Sequence, residues 1–123
     1  MDQLSSLETE EDLQLIKEYI LFPVLLDMLE RDMEELSFYN HKTIYNHLLH
    51  YLKDIEALVH LKLQSNRRTM RNRRITILQE EFTTLGIRVD YKVRGYIHHF
   101  EMLRSLVKAE LMSILRNLRR QLS

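Results

Sequence analysis

The sequence predicts an all-α fold, an antiparallel helical bundle of three to four main helices. Three observations lead there. With 2 Gly and 1 Pro among 123 residues, the chain holds few of the breakers that a β-rich fold with many tight turns needs. Its apolar residues recur at steps of three and four. Short loops near Asn40 and Gly86 suffice to connect the resulting segments. No repeat, low-complexity tract or linker divides the chain. Residues 1–8 read as a frayed lead-in and 9–123 as a single helical-bundle domain.

The first helix starts at Thr9, an N-cap residue, and runs to Phe38. Leu13, Ile16 and Ile20 share one face, and Leu25, Leu29, Met33 and Leu36 continue a stripe. Pro23 stands between the two sets. It restricts Phe22 and deletes one backbone donor, so a kink or break is expected there. After the turn at Phe38–His41, Ile44, Leu48, Tyr51, Ile55 and Leu58 make one stripe and Tyr45, Leu49, Leu52, Val59 and Leu63 a second. So wide an arc describes a helix buried on much of its surface. Ser65 and Asn66 are capping residues, and a break or bend is expected near Ser65.

Ile75, Leu78, Phe82 and Leu85 then read as a new helical stripe, with Gly86 as its left-handed stop and Ile87 folding back. Asp90 reads as the cap of the last helix. In that helix Tyr96, Phe100, Leu103, Val107, Leu111, Ile114 and Leu118 form a long seam. Arg116, Arg119 and Arg120 end it, where the helix dipole favours cations.

Composition excludes several chemistries. Zero Cys removes disulfides, thiolate metal sites and a Cys nucleophile, and fits a cytoplasmic protein. The first twelve residues hold five acids and no Lys or Arg, unlike a secretory or mitochondrial leader. The longest apolar run, Tyr19 to Leu26, is far shorter than the roughly 20 residues that span a membrane. No Ser or Thr sits in a nucleophile-elbow frame, so no catalytic site and no cofactor is expected.

The net charge of +0 conceals a partition. Residues 1–40 hold eleven acids and two bases, a net of −9, and residues 41–123 hold seven acids and sixteen bases, a net of +9. Either the acidic first helix packs beside the basic ones and the fields cancel, or the molecule is dipolar with two charged faces.

Two clusters could carry binding. Arg67, Arg68, Arg71, Arg73 and Arg74 place five guanidinium forks in nine residues, a patch for phosphate or nucleic acid. On a continuing helix Arg67, Arg71 and Arg74 share one face. His47, His50 and Asp54 leave one helical face, and Asp27, Glu30 and Glu34 make an acidic stripe on the first helix. A hairpin turning at Asn40 sets Glu34 level with His47 and Glu30 level with His50, so these four are candidate metal ligands. His98 and Glu101 add a His-x-x-Glu pair, but the paired Glu-x-x-His of ferritin-like sites is absent.

The leading functional expectation is a helical protein acting through protein–protein contact, as adaptor, regulator or self-associating subunit, with homodimerisation covering the surplus apolar surface. The alternatives are a nucleic-acid-associated accessory protein using the arginine patch, and a metal-binding bundle using the Glu and His residues.

Overall fold

Thr9 and Asp12 open the structure with a reciprocal cap. The Asp12 amide donates to Thr9 Oγ1 at 3.1 Å, and the Thr9 amide donates to Asp12 Oδ2 at 3.0 Å. From this cap helix α1 runs Glu10–Ser37. The structure, a computed structural model, describes residues 8–122. The lead-in expected over residues 1–8 therefore lies outside the described residues, apart from Glu8.

The break allowed for at Pro23 does not occur: α1 is a single helix with Pro23 inside it. A proline in a helix interior costs about 3 kcal/mol. Around it Ile20, Leu21, Phe22 and Leu25 are all buried, and each such side chain returns about 1.5–3 kcal/mol. Pro23 itself faces solvent.

The chain turns over residues 38–42 and enters α2, Thr43–Asn72, about 45 Å long at 1.5 Å per residue. The break or bend expected near Ser65 is absent. Asn66 caps nothing; it points inward, 4% exposed, and its Nδ2 donates to the Leu15 carbonyl at 2.8 Å. The bond puts Asn66 beside Leu15, as a hairpin about Asn40 requires. Leu63 and Met70 are buried on either side of Asn66, so the core stripe carries the helix to its end.

Beyond α2 the all-α bundle is overturned. Residues 75–103 form a three-stranded antiparallel sheet in the order β1 (Ile75–Phe82), β2 (Gly86–Val93), β3 (Tyr96–Leu103), followed directly by α3 (Arg104–Leu122). The fold is α+β. In β2, Ile87, Val89, Tyr91 and Val93 are buried and alternate with Arg88, Asp90 and Lys92, the two-residue period of a half-buried strand. Asp90 is thus mid-strand rather than a helix cap. The seam from Tyr96 to Leu118 divides: Tyr96, Phe100 and Leu103 belong to β3, and only Leu111, Ile114 and Leu118 form the buried stripe of α3.

Both glycines serve the sheet. Gly86 opens β2 instead of ending a helix. A Cβ there would meet the Met102 carbonyl oxygen at 2.0 Å, so only glycine allows this approach of β2 to β3. Arg94 (φ 47°) and Gly95 (φ 94°) form the two-residue turn between β2 and β3. Two central residues at positive φ match the right-handed twist of paired strands. Between Ile77 and Gln79 the β1–β2 register shifts, leaving Leu78 as the extra residue of a bulge.

One core joins all elements: Ile16, Ile20, Leu21 and Leu25 of α1, Ile55, Val59 and Leu63 of α2, the inward β2 residues, Met102, and the α3 stripe. The sheet and α3 meet α1 at Asp12, Lys17 and Val24. The hairpin of α1 and α2 continues past this body. From Glu30 to Leu48 no side chain is buried.

Candidate interaction surfaces

The start of α1 is locked to the body by charge. Asp12 is fully buried. Arg94 Nη2 donates to its Oδ2 at 2.5 Å, and Arg73 Nη1 stands 3.1 Å from Oδ1, at ion-pair distance but outside hydrogen-bonding alignment. Arg73 also reaches Glu11 at 2.7 Å, and its carbonyl accepts from Arg94 Nη1 at 2.9 Å. Burial raises the Asp12 pKa, but the hydrogen bonds from Arg94 and Thr9 and the charge of Arg94 outweigh it, and the carboxyl titrates below its ordinary value. Beside this latch the Tyr91 hydroxyl donates to Glu8, and the Tyr91 ring stacks on His98 at 5.5 Å. Burial first, then the Glu8 carboxylate, push the Tyr91 hydroxyl well above its ordinary value.

The latch divides the arginine patch. The helix ends at Asn72, so Arg74 is not on the helical face expected to hold it with Arg67 and Arg71, and it sits in a left-handed turn at φ 59°. Arg73 is committed to Glu11 and Asp12. Arg67 lies over the Tyr19 ring at 5.9 Å. Arg68, Arg71 and Arg74 are exposed and have no acidic partner among the described residues. Arg67 and Arg71 rim a groove of about 360 Å³ between α2 and β1, lined by Tyr19, Met70, Ile75, Thr76 and Ile77.

The opposite end of the hairpin carries the other sign. Glu30, Asp32, Glu34 and Glu35 are exposed and lack a cationic partner among the described residues, whereas Asp27 pairs with Arg31 at 2.7 Å. Apolar side chains are exposed at this end too: Phe38 is 75% exposed and Ile44 68%, and Leu48 is exposed as well. The Tyr39 and Tyr45 rings meet edge-on at 5.8 Å, and Lys42 Nζ stands 5.6 and 5.2 Å from their centroids. This cluster fixes the shape of the tip.

Glu30, Glu34, His47 and His50 are all exposed, and no group of three or more metal-capable side chains converges among the described residues. The His98–Glu101 pair expected on a helix is on β3. His98 faces Tyr91 on the core side, while Glu101 lies on the outer face and pairs with Arg88 at 3.0 Å. That outer face carries Asp90 and His99, paired across β2 and β3 at 2.7 Å, beside the exposed apolar side chains Ile97 and Leu103.

Sequence reasoning missed the latch and the groove. The latch joins residues 62 and 82 positions apart, for which no local pattern exists. The groove has one partial signal, the Ile75-Thr76-Ile77 alternation, which sets a strand beside the arginines.

A helical hairpin packed on a three-stranded meander and a closing helix is the class of protein these elements define. Residues 7–123 match the family described as YhjD protein, and the chain belongs to that family. No curated protein and no solved structure shows significant similarity to it. Among the described residues no helix is long and apolar enough to cross a membrane.

Proposed function

We propose that the protein works in the cytoplasm by protein–protein contact rather than catalysis, as an adaptor, regulator or self-associating subunit, and that the tip of the α1–α2 hairpin is its contact surface. One observation carries this reading. Between Glu30 and Leu48 the α1 stripe residues Met33 and Leu36 are only half-buried, and Phe38, Ile44 and Leu48 lie open. Large apolar side chains left exposed amid acidic ones are a feature of surfaces used for association. The test is site-specific photo-crosslinking in the cells that express the protein. Reactive residues at Phe38 or Ile44 should yield protein adducts, and residues at Lys92 or His99 on the outer sheet face should not. Equal yields at both faces, or none at the tip, would refute the reading.

A second reading, the nucleic-acid accessory role, is supported by Arg68, Arg71 and Arg74 lacking acidic partners. It requires retention on oligonucleotides at low salt, with a salt dependence that flattens when these arginines become alanine.

A further inference from the structure

The two charged ends of the hairpin are too far apart to neutralise each other within one molecule. Glu34 sits at the level of His47, and Arg68 lies 21 residues further along α2. At 1.5 Å per residue that is about 32 Å, several times the roughly 8 Å over which charges act at physiological ionic strength. Cancellation inside the chain occurs instead at the latch, where Glu11 and Asp12 meet Arg73 and Arg94, and at the Lys17–Glu110 pair.

The two surfaces carry opposite charge, and one offers an exposed apolar side chain where the other offers a groove. At the tip an apolar knob, Phe38, projects beside the acids Glu34 and Glu35, which are four and three residues before it on the last turn of α1. At the other end a groove with an apolar floor, Met70, Ile75 and Ile77, is rimmed by the cations Arg67 and Arg71. We propose that the partner of the tip is a second copy of this chain: Phe38 seats in the groove of the second copy, with Glu34 and Glu35 against its Arg67 and Arg71.

Two copies turned end for end make this contact twice, once at each end, and the two-fold arrangement closes as a dimer. Each arginine cluster then meets the opposite charge it lacks in its own chain. The proposal rests on the reading of the tip as a contact surface and adds the identity of the partner.

Sedimentation of the full chain over a range of concentrations tests it. The wild type should show a concentration-dependent monomer–dimer equilibrium that weakens as salt is raised. The tip variant Glu34→Arg/Glu35→Arg and the groove variant Arg67→Glu/Arg71→Glu should each dimerise at least about tenfold more weakly. Phe38→Ser, at an exposed position, should weaken the dimer without reversing a charge, and Arg71→Glu alone serves if the double groove variant unfolds. An equimolar mixture of the tip and groove variants should recover a dimer, because one contact is then native and the other has both signs reversed.

A wild type that stays monomeric throughout, or a mixture no tighter than either variant alone, overturns the proposal. In that event, tip adducts to a different protein in the crosslinking experiment would leave the contact reading standing and only the self-pairing lost. No adducts at the tip would remove both.

Discussion

Asp12→Ala removes the carboxylate on which α1, the end of α2 and the β2–β3 turn converge. Its consequence can be worked from the geometry. Arg94 is 17% exposed at its side chain and loses a charge-assisted bond of 2.5 Å. Truncating one partner of a buried pair costs about 3–5 kcal/mol, because the other charge stays behind. Arg94 retains some water and its bond to the Arg73 carbonyl, which argues for the lower end. Arg73 keeps Glu11 and loses little. The reciprocal bond to the Thr9 amide adds about 0.5–1 kcal/mol. The sum is about 3–4 kcal/mol, a large share of the 5–15 kcal/mol by which domains are stable. Urea denaturation followed by far-UV circular dichroism measures it, and Asp12→Asn, which keeps an acceptor but no charge, should lie between the two. Because the folded-state pKa of Asp12 is below its ordinary 3.8, its contribution is present above that value and fades as pH falls through the lower folded value. The difference between wild type and Asp12→Ala should therefore shrink only in strong acid. A loss under about 1 kcal/mol at neutral pH, the range of a solvated surface pair, would refute the account of the latch.

Three further outcomes follow from the fold. Gly86→Ala should destabilise by at least about 2 kcal/mol through the clash with the Met102 carbonyl, whereas Gly95→Ala, with open space around it, should cost only about 1 kcal/mol of backbone strain; thermal melts of the two compare them directly. Asn66→Leu should leave stability within about 1 kcal/mol of the wild type in urea titrations, because Asn66 Oδ1 is buried without a partner and its removal offsets the lost bond to Leu15; Asn66→Ala should cost about 2 kcal/mol through the cavity it leaves. Tyr91 titrates above its ordinary value of 10, so the stability it contributes is complete below pH 10 and declines as pH rises towards the folded value; alkaline unfolding curves of Tyr91→Phe should lack that decline.

The helical hairpin was legible in the sequence because both of its helices carry long apolar stripes with a period near 3.6 and a cap residue, Thr9, before the first. The sheet was obscured by a real ambiguity of period. Residues four apart share a face on a strand as well as on a helix, so Tyr96 and Phe100 fit either, and the true α3 stripe from Val107 onward extends the illusion. What discriminates is the run Ile87-Arg88-Val89-Asp90-Tyr91-Lys92-Val93, whose strict alternation no helix accommodates, followed by Arg94-Gly95 as a turn. Ser65 and Asn66 misled in another way: a capping residue is only a stop where the chain has reason to stop, and here Asn66 found a buried carbonyl instead. Of the candidate sites, the arginine cluster kept its exposure but lost Arg73 to the latch, and Glu30, Glu34, His47 and His50 stayed in solvent. Which apolar residues are left uncovered at the tip depends on where the body ends, and that is a property of the packing, not of any segment.

The order β1-β2-β3 and the helical hairpin before it share a kinetic consequence. Both units pair neighbours along the chain across short turns, so most of their contacts close small loops at low entropic cost and should form early. The latch is different: it must bring residues 11 and 12 back to residues 73 and 94 after both units exist. It therefore forms late, together with the shared core, when two locally ordered pieces become one cooperative molecule. Native-state hydrogen exchange should find the first turns of α1 opening at lower free energy than the centre of β2.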